Sequence, residues 1–171
     1  MPDHLPEFVD PFSLAEKRRQ FKGSLPLSKM LRVQEVGLLL EREGNVSFDL
    51  RFEKEGRTVV VAGHVEAELQ LQCQCCLGAL DWPVHSQVKL GVVRTLAEAD
   101  LLSESYEPLL LEEDTVALVD IVQDEVLLPL PTVPQHGHCE PSAQIKKKEV
   151  ASESPKRPNP FAVLAELKKS N

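Results

Sequence analysis

Residues 46–93 contain three successive runs in which apolar and polar side chains alternate along the chain. Alternation with a period of two, with one polar face, is typical of antiparallel strands that cover a core on one side. We therefore predict a three-stranded antiparallel meander over residues 46–93. The positions predicted to face the core in the longest run are Val59, Val61, Gly63, Val65, Ala67, Leu69 and Leu71.

The segments on either side of the meander predict a few short helices. Residues 10–23 are expected to be helical, with Ser13 and Glu16 at the spacing of a capping box and Gly23 at the end. A second short helix is expected over 27–33. Residues 114–130 predict a longer helix, capped by Asp114 or Thr115 and ended by Pro129. Its apolar stripe consists of Leu118, Ile121, Val122 and Val126.

These elements predict an α+β fold, in which an antiparallel sheet, a meander or a barrel-like form of it, carries a few short helices. We expect residues 1–139 to form the folded domain. Residues 140–158 are polar, charged and rich in proline, which predicts a flexible linker. Residues 159–171 predict a C-terminal amphipathic helix, because Asn159 and Pro160 precede regularly spaced apolar side chains.

The cysteines form the most distinctive motif. Cys73 and Cys76 have CxxC spacing at the predicted tip of a hairpin, and His136 and Cys139 have HxxC spacing farther on. Two such pairs supply the four nitrogen and sulfur ligands of a tetrahedral zinc site. Cys75 or His138 could replace a neighbouring ligand. Two alternatives stay open at this point, namely reduced thiols packed at a sheet edge and a redox pair that uses Cys76.

The charge and hydropathy of the chain limit its partners and its location. A formal net charge of −8 disfavours a general grip on nucleic-acid phosphates, although basic residues gather near both ends. The first residues do not resemble a leader, and no apolar run approaches the length of a membrane span. We therefore expect a cytoplasmic protein without a membrane partner, in a compartment that keeps thiols reduced.

The predicted longer helix also carries acidic side chains. Asp114, Asp120, Asp124 and Glu125 are the residues concerned. Carboxylates one turn apart could share Mg²⁺ for acid–base chemistry, whereas the simpler interpretation is a helix face exposed to water. We find no glycine-rich phosphate loop and no Ser/His/Asp arrangement in the sequence.

Several segments together resemble one bacterial family. They occur in the order DPFSLAEKRRQFKG, LQCQCCL, YEPLLL, VDIVQDEVLLPLPTVPQHGHC and PNPFAVLAELK. The chain resembles the large ribosomal RNA subunit accumulation proteins of the YceD family over nearly its full length. The resemblance implies that Cys73 and Cys76 are the CxxC of the family and Cys139 its downstream cysteine. Cys75 departs from the family pattern, which often has a basic residue there.

The resemblance also implies a biological role. The family is linked to the synthesis, processing or stability of 23S rRNA, and no catalytic activity is implied. We therefore expect a non-enzymatic factor in large-subunit biogenesis that binds 23S rRNA, its precursor or a large-subunit ribosomal protein. The C-terminal helix is expected to dock on this partner or on the folded body itself, through Phe161, Leu164, Leu167, Lys168 and Lys169. The alternatives are a metal-dependent rRNA-processing nuclease that uses the acidic helix and, more weakly, a thiol oxidoreductase.

Overall fold

The computed structural model of the chain describes residues 5–139, which form a sheet with short helices packed against it. The elements in chain order are β1 (Phe8–Val9), α1 (Pro11–Glu16), β2 (Gln20–Pro26), α2 (Leu31–Glu35), β3 (Asn45–Glu55), β4 (Thr58–Gln72), β5 (Ala79–Val93), α3 (Leu96–Ala99), β6 (Glu107–Leu110), β7 (Val116–Ala117) and α4 (Leu118–Leu127). The main sheet has the strand order β2-β3-β4-β5-β6, and β1 pairs separately with β7.

The predicted α+β class and the predicted meander are confirmed. β3, β4 and β5 pair antiparallel in succession, whereas β6 joins the edge of β5 in parallel. Within residues 5–139 the sheet stays open between its edge strands β2 and β6, so the barrel-like form is not closed. The buried face of β4 follows the predicted alternation and consists of Val59, Val61, Val65, Ala67, Leu69 and Leu71.

The predicted helix over 10–23 is wrong beyond its first two turns. Asp10, not Ser13, caps α1, and its carboxylate accepts a hydrogen bond from the backbone N–H of Ser13 at 3.1 Å. The helix ends at Glu16, and the chain then turns into β2, which pairs with β3 over its full length. Gly23 lies within this strand opposite Phe48. Pairing with β3 satisfies the backbone of this segment and buries Leu25, which outweighs its helix propensity.

The long helix is confirmed in its buried stripe but begins later than predicted. All four stripe residues of α4 are buried. Neither Asp114 nor Thr115 caps it, because Val116 and Ala117 are held extended by pairing with β1. The N–H of Leu118 donates to the carbonyl of Glu7 at 2.9 Å. The predicted helix over 27–33 is present as a 3₁₀ turn, Leu27–Lys29, followed by α2.

Gly63 lies in β4 opposite Leu50 of β3. Its φ of +156° is rare for residues with a side chain, and a Cβ atom there would lie 1.9 Å from the carbonyl oxygen of Asp49. Such a distance is far inside van der Waals contact, so any side chain would push the two strands apart. The sheet therefore requires glycine at this position.

We predict that Gly63→Ala lowers the free energy of unfolding by about 3 kcal/mol, through strain and loss of strand pairing. Gly56→Ala is the matched control, because Gly56 also has a positive φ, +63°, but nothing lies within 4 Å of its added Cβ. Urea denaturation of both variants measures the difference. Equal destabilisation by the two substitutions would contradict the close contact at Gly63.

Candidate metal centre

The loop between β4 and β5 turns tightly around Cys73. The N–H of Cys73 donates to the carbonyl of Gly78, and the N–H of Leu77 donates to the carbonyl of Cys73, both at 2.9 Å. Leu77 completes this turn with a φ of 62°. The Cys73 side chain is buried because it continues the apolar face of β4. The turn thereby brings Cys76 back beside Cys73.

The segment that follows α4 returns to this loop. The carbonyl of the buried residue Pro134 accepts a hydrogen bond from the N–H of Gln74 at 2.8 Å. Earlier in the segment, the carbonyl of Pro129 accepts from the indole N–H of Trp82 at 3.2 Å. These contacts tie the chain to β5 and to the hairpin tip, and they place His136 and Cys139 against the CxxC pair.

The four side chains named by the two motifs converge on one point. The ligand atoms of Cys73, Cys76, His136 and Cys139 all lie within 4.8 Å of one another. The sulfurs of Cys73 and Cys139 are 3.6 Å apart, and the Cys76 sulfur lies 3.6 Å from Nδ1 of His136. Tetrahedral zinc with ordinary bond lengths requires about 3.8 Å between two sulfurs and about 3.6 Å between sulfur and nitrogen. The cluster could therefore hold a metal ion with little movement.

The imidazole of His136 is oriented by a backbone contact. Its Nε2 lies 3.0 Å from the carbonyl oxygen of Ala79. A carbonyl can only accept, so Nε2 carries the proton and the lone pair of Nδ1 is directed at the cluster. Histidine ligands in proteins are commonly held by a second hydrogen bond of this kind.

Electrostatics favour a thiolate at the centre of the cluster. The backbone N–H of Cys76 lowers the pKa of the Cys73 thiol to about 5, against burial, with help from N–H groups of His136 and Cys75. Burial, followed by its thiol neighbours, raises the pKa of Cys139. The negative charge of a Cys73 thiolate is thus stabilised, whereas ionisation of Cys139 is disfavoured. A bound cation would favour the thiolate form of both residues.

Cys75 and His138, the two substitute ligands considered from the sequence, lie outside the group of four. The Cys75 sulfur donates to the backbone carbonyl of Cys139 at 3.5 Å. The side chain of His138 is exposed. The CxxC loop joins two antiparallel strands, whereas a thioredoxin-like motif opens a helix after a strand, so the fold gives the redox alternative no support.

The acidic residues of the longer helix do not converge. Asp124 pairs with Arg32, and Asp114 pairs with Arg94 at 2.9 Å. Asp120 accepts a hydrogen bond from the side chain of Gln123 at 3.2 Å. Within residues 5–139 the Cys–His cluster is the one group of three or more such side chains placed to hold a metal. The nuclease alternative therefore has no assembled metal site in this part of the chain.

Sequence reasoning missed the surroundings of Glu125. This side chain is 3% exposed and accepts a hydrogen bond from the hydroxyl of Ser86. The position follows Ile121 by four residues and Val122 by three, so helical spacing already places it on the buried stripe. This spacing could have identified Glu125 as buried from the sequence alone. The residues expected to contact a partner, all within 159–171, lie outside the described residues.

An open sheet with a Cys₃His cluster at one hairpin tip defines a small α+β protein with a knuckle-type candidate metal centre. The sequence profile described as "Large ribosomal RNA subunit accumulation protein YceD" matches residues 61–168. The Haemophilus influenzae protein of the same description is 36% identical over 170 residues, covering 96% of each chain. The chain therefore belongs to the YceD family, which confirms the resemblance. No solved structure is significantly similar to it.

We predict that protein purified without chelator contains about one zinc ion per chain, because four ligands converge with tetrahedral spacing. Cys139→Ser should lose the ion, since serine is a much weaker ligand than thiolate. Cys75→Ser should keep it, and this variant is the matched control, because it removes a neighbouring thiol that is not one of the four ligands. Elemental analysis gives the ratio, and equal metal content in the two variants would contradict the assignment of ligands.

We predict that Glu125→Gln stabilises the fold increasingly as the pH rises from 4.5, the ordinary pKa of this carboxyl, to its raised pKa in the folded state, and by a constant amount above that. Burial, and then the nearby carboxylates of Glu107 and Asp124, raise the pKa of Glu125, although the Ser86 hydroxyl opposes this. The folded state therefore holds the proton more tightly than the unfolded chain, so ionisation at higher pH costs wild-type stability. Thermal denaturation across pH measures the effect, with the exposed Glu43→Gln as control for lost charge. A constant difference across pH would refute it.

Proposed function

We propose that this protein is a non-enzymatic factor for the synthesis, processing or stability of 23S rRNA, acting in the cytoplasm during large-subunit biogenesis. Membership of the YceD family supports this role, since both the family and the H. influenzae relative are described as large ribosomal RNA subunit accumulation proteins. In residues 5–139 no helix has the length and apolar character needed to cross a bilayer. We infer that the protein acts by binding the rRNA or a protein that assembles on it.

The distribution of charge favours a protein partner for the folded part. Residues 1–139 contain 23 Asp and Glu against 12 Lys and Arg, whereas residues 140–171 contain 4 against 7. An acidic body repels a phosphate backbone and attracts a basic protein. The proposed binding mode rests on this difference in charge between residues 1–139 and 140–171. We infer that the body binds a basic ribosomal protein, and that any direct contact with 23S rRNA or its precursor is made by the basic residues near the termini.

We further propose that Zn²⁺ is a structural ion in this protein. Its ligands would come from the hairpin tip and from the segment after α4, so one ion would join two parts of the chain that are 66 residues apart from Cys73 to Cys139. Binding free energy at such a site adds to the stability of the folded state. The four cysteine and histidine ligands would close the coordination shell, which is typical of structural rather than catalytic zinc.

The C-terminal residues complete the proposal. We propose that residues 140–158 link the body to an amphipathic segment, 159–171, that contacts the partner. Phe161, Leu164 and Leu167 have helical spacing and would supply the apolar contacts. Lys168 and Lys169 would add charge contacts with an acidic or phosphate-bearing surface. This division of the chain into body, linker and contact segment rests on composition and spacing alone.

We predict that the full chain restores the ratio of 23S to 16S rRNA in a bacterial host that lacks its own family member. Cys139→Ser should restore less, because loss of the metal loosens the body, whereas Cys75→Ser should restore as much as the wild-type chain. Quantification of mature rRNA measures both. Failure of the wild-type chain to raise 23S rRNA would overturn the proposed role. Mg²⁺-dependent cleavage of precursor rRNA by the pure protein would overturn its non-enzymatic character.

A further inference from the structure

A groove of about 490 Å³ lies between α4 and the edge strand β6. Its apolar lining includes Leu90, Leu109, Ile121 and Leu127. Leu128 adds a large apolar side chain at the rim and is 67% exposed. An apolar groove with an exposed leucine at its edge matches the sites that accept one face of an amphipathic segment.

The polar lining of the groove is mostly acidic. Glu107, Asp124 and Glu125 contribute carboxylates, and Arg32 is the single cation among the lining residues. Arg32 is already paired with Asp124. Within residues 5–139 neither Glu107 nor Glu125 is among the carboxylates that form ion pairs with Lys, Arg or His. The groove therefore presents two carboxylates, Glu107 and Glu125, without a positive partner in that part of the chain.

The burial of Glu125 makes its ionised carboxylate unfavourable unless a positive group lies nearby. The residue is 3% exposed, and its carboxylate accepts a hydrogen bond from the neutral hydroxyl of Ser86. A buried carboxylate without a cation loses hydration that one neutral hydrogen bond replaces only in part. A positive group entering the groove would recover that loss. The pKa of Glu125 is raised by burial first and then by Glu107, which agrees with a shortage of positive charge.

The surroundings of the groove extend its negative field. Residues 95–139 contain ten Asp and Glu and no Lys or Arg. These residues include α3, β6 and α4, which occupy the β6 edge of the sheet and the layer against it. A polyanion such as RNA would be repelled from this side of the body, and a cationic segment would be attracted.

We propose that the groove between α4 and β6 binds a basic amphipathic segment of a protein partner, with a Lys or Arg directed at Glu107 and Glu125 and apolar side chains against Leu109, Ile121 and Leu128. This inference rests on the proposed function for its biological setting and names the surface and the chemistry of the partner. Because the groove contains both carboxylates and leucines, its ligand should carry both positive charge and apolar side chains. A purely basic segment would leave the apolar lining exposed, and a purely apolar one would leave the carboxylates unpaired.

A peptide-binding assay tests the proposal on the full chain. The probe is a fluorescent synthetic peptide made only of lysine and leucine at helical spacing. Two control peptides replace either every lysine by glutamate or every leucine by serine. Fluorescence anisotropy should show saturable binding of the first peptide, and at least about tenfold weaker binding of both controls. Equal binding of the lysine–serine peptide would overturn the proposal, because simple charge attraction would then suffice.

Paired variants locate the binding surface. Glu107→Gln with Glu125→Gln should weaken binding of the lysine–leucine peptide by about tenfold or more. Glu41→Gln with Glu43→Gln removes the same charge from exposed positions outside the groove and should change binding by less than about twofold. Leu128→Ser should weaken binding, whereas Leu101→Ser, at a position that is 86% exposed, should not. If the groove variants and their controls weakened peptide binding equally, in either comparison, the groove would not be the binding site.

The same variants separate this inference from the proposed function. Circular dichroism first confirms that each variant is folded, and the ratio of 23S to 16S rRNA is then measured in the host that lacks its family member. The wild-type chain should restore 23S rRNA, and the Glu107→Gln, Glu125→Gln variant should restore less. Full restoration by that variant would overturn the groove as partner site while the proposed function stands. Tighter binding of an RNA oligonucleotide than of the peptide at this groove would also overturn it.

Discussion

The antiparallel pairing of β4 with β5 positions both the hydrophobic core and the candidate metal centre. It runs from Val59 opposite Val92 to Gln72 opposite Ala79, so one hairpin reaches from the core to the Cys–His cluster. A register shift of one residue would turn every side chain of a strand to the other face. The same pairing therefore decides which residues are buried and which way Cys73 points.

The candidate metal centre and the core are connected through the segment that follows α4. α4 buries its apolar stripe against the sheet, and the chain after it runs along β5 through the contact of Trp82 with Pro129 to the contact of Gln74 with Pro134. An ion in the cluster would fasten the far end of this segment. The long sequence separation between ligand pairs is then explained by the sheet, which supplies the rigid spacing that a compact finger obtains from a short loop.

The charged side chains of the body are of two kinds, exposed ion pairs and the buried Glu125. Several ion pairs, such as that of Lys54 with Glu16 at 3.7 Å, join exposed side chains and contribute little to stability. Glu125 differs because it is buried without a cationic partner in the described residues and lines a groove with leucines. A protein selected for stability alone would replace such a carboxylate by an apolar side chain. The proposed binding of a basic segment in the groove would account for its position.

The sequence alone determined the features that depend on local periodicity and spacing. Period-two alternation predicted the meander, helical spacing predicted the stripe of α4, and the two ligand pairs were visible as CxxC and HxxC. Features that depend on contacts between distant segments became visible only in the folded structure. Pairing with β3 places residues 20–23 in a strand where the sequence predicted helix, and pairing with β1 delays the start of α4. The meeting of Cys73 with Cys139 and the isolation of Glu125 likewise arise from packing, because neighbours far apart in the chain create them.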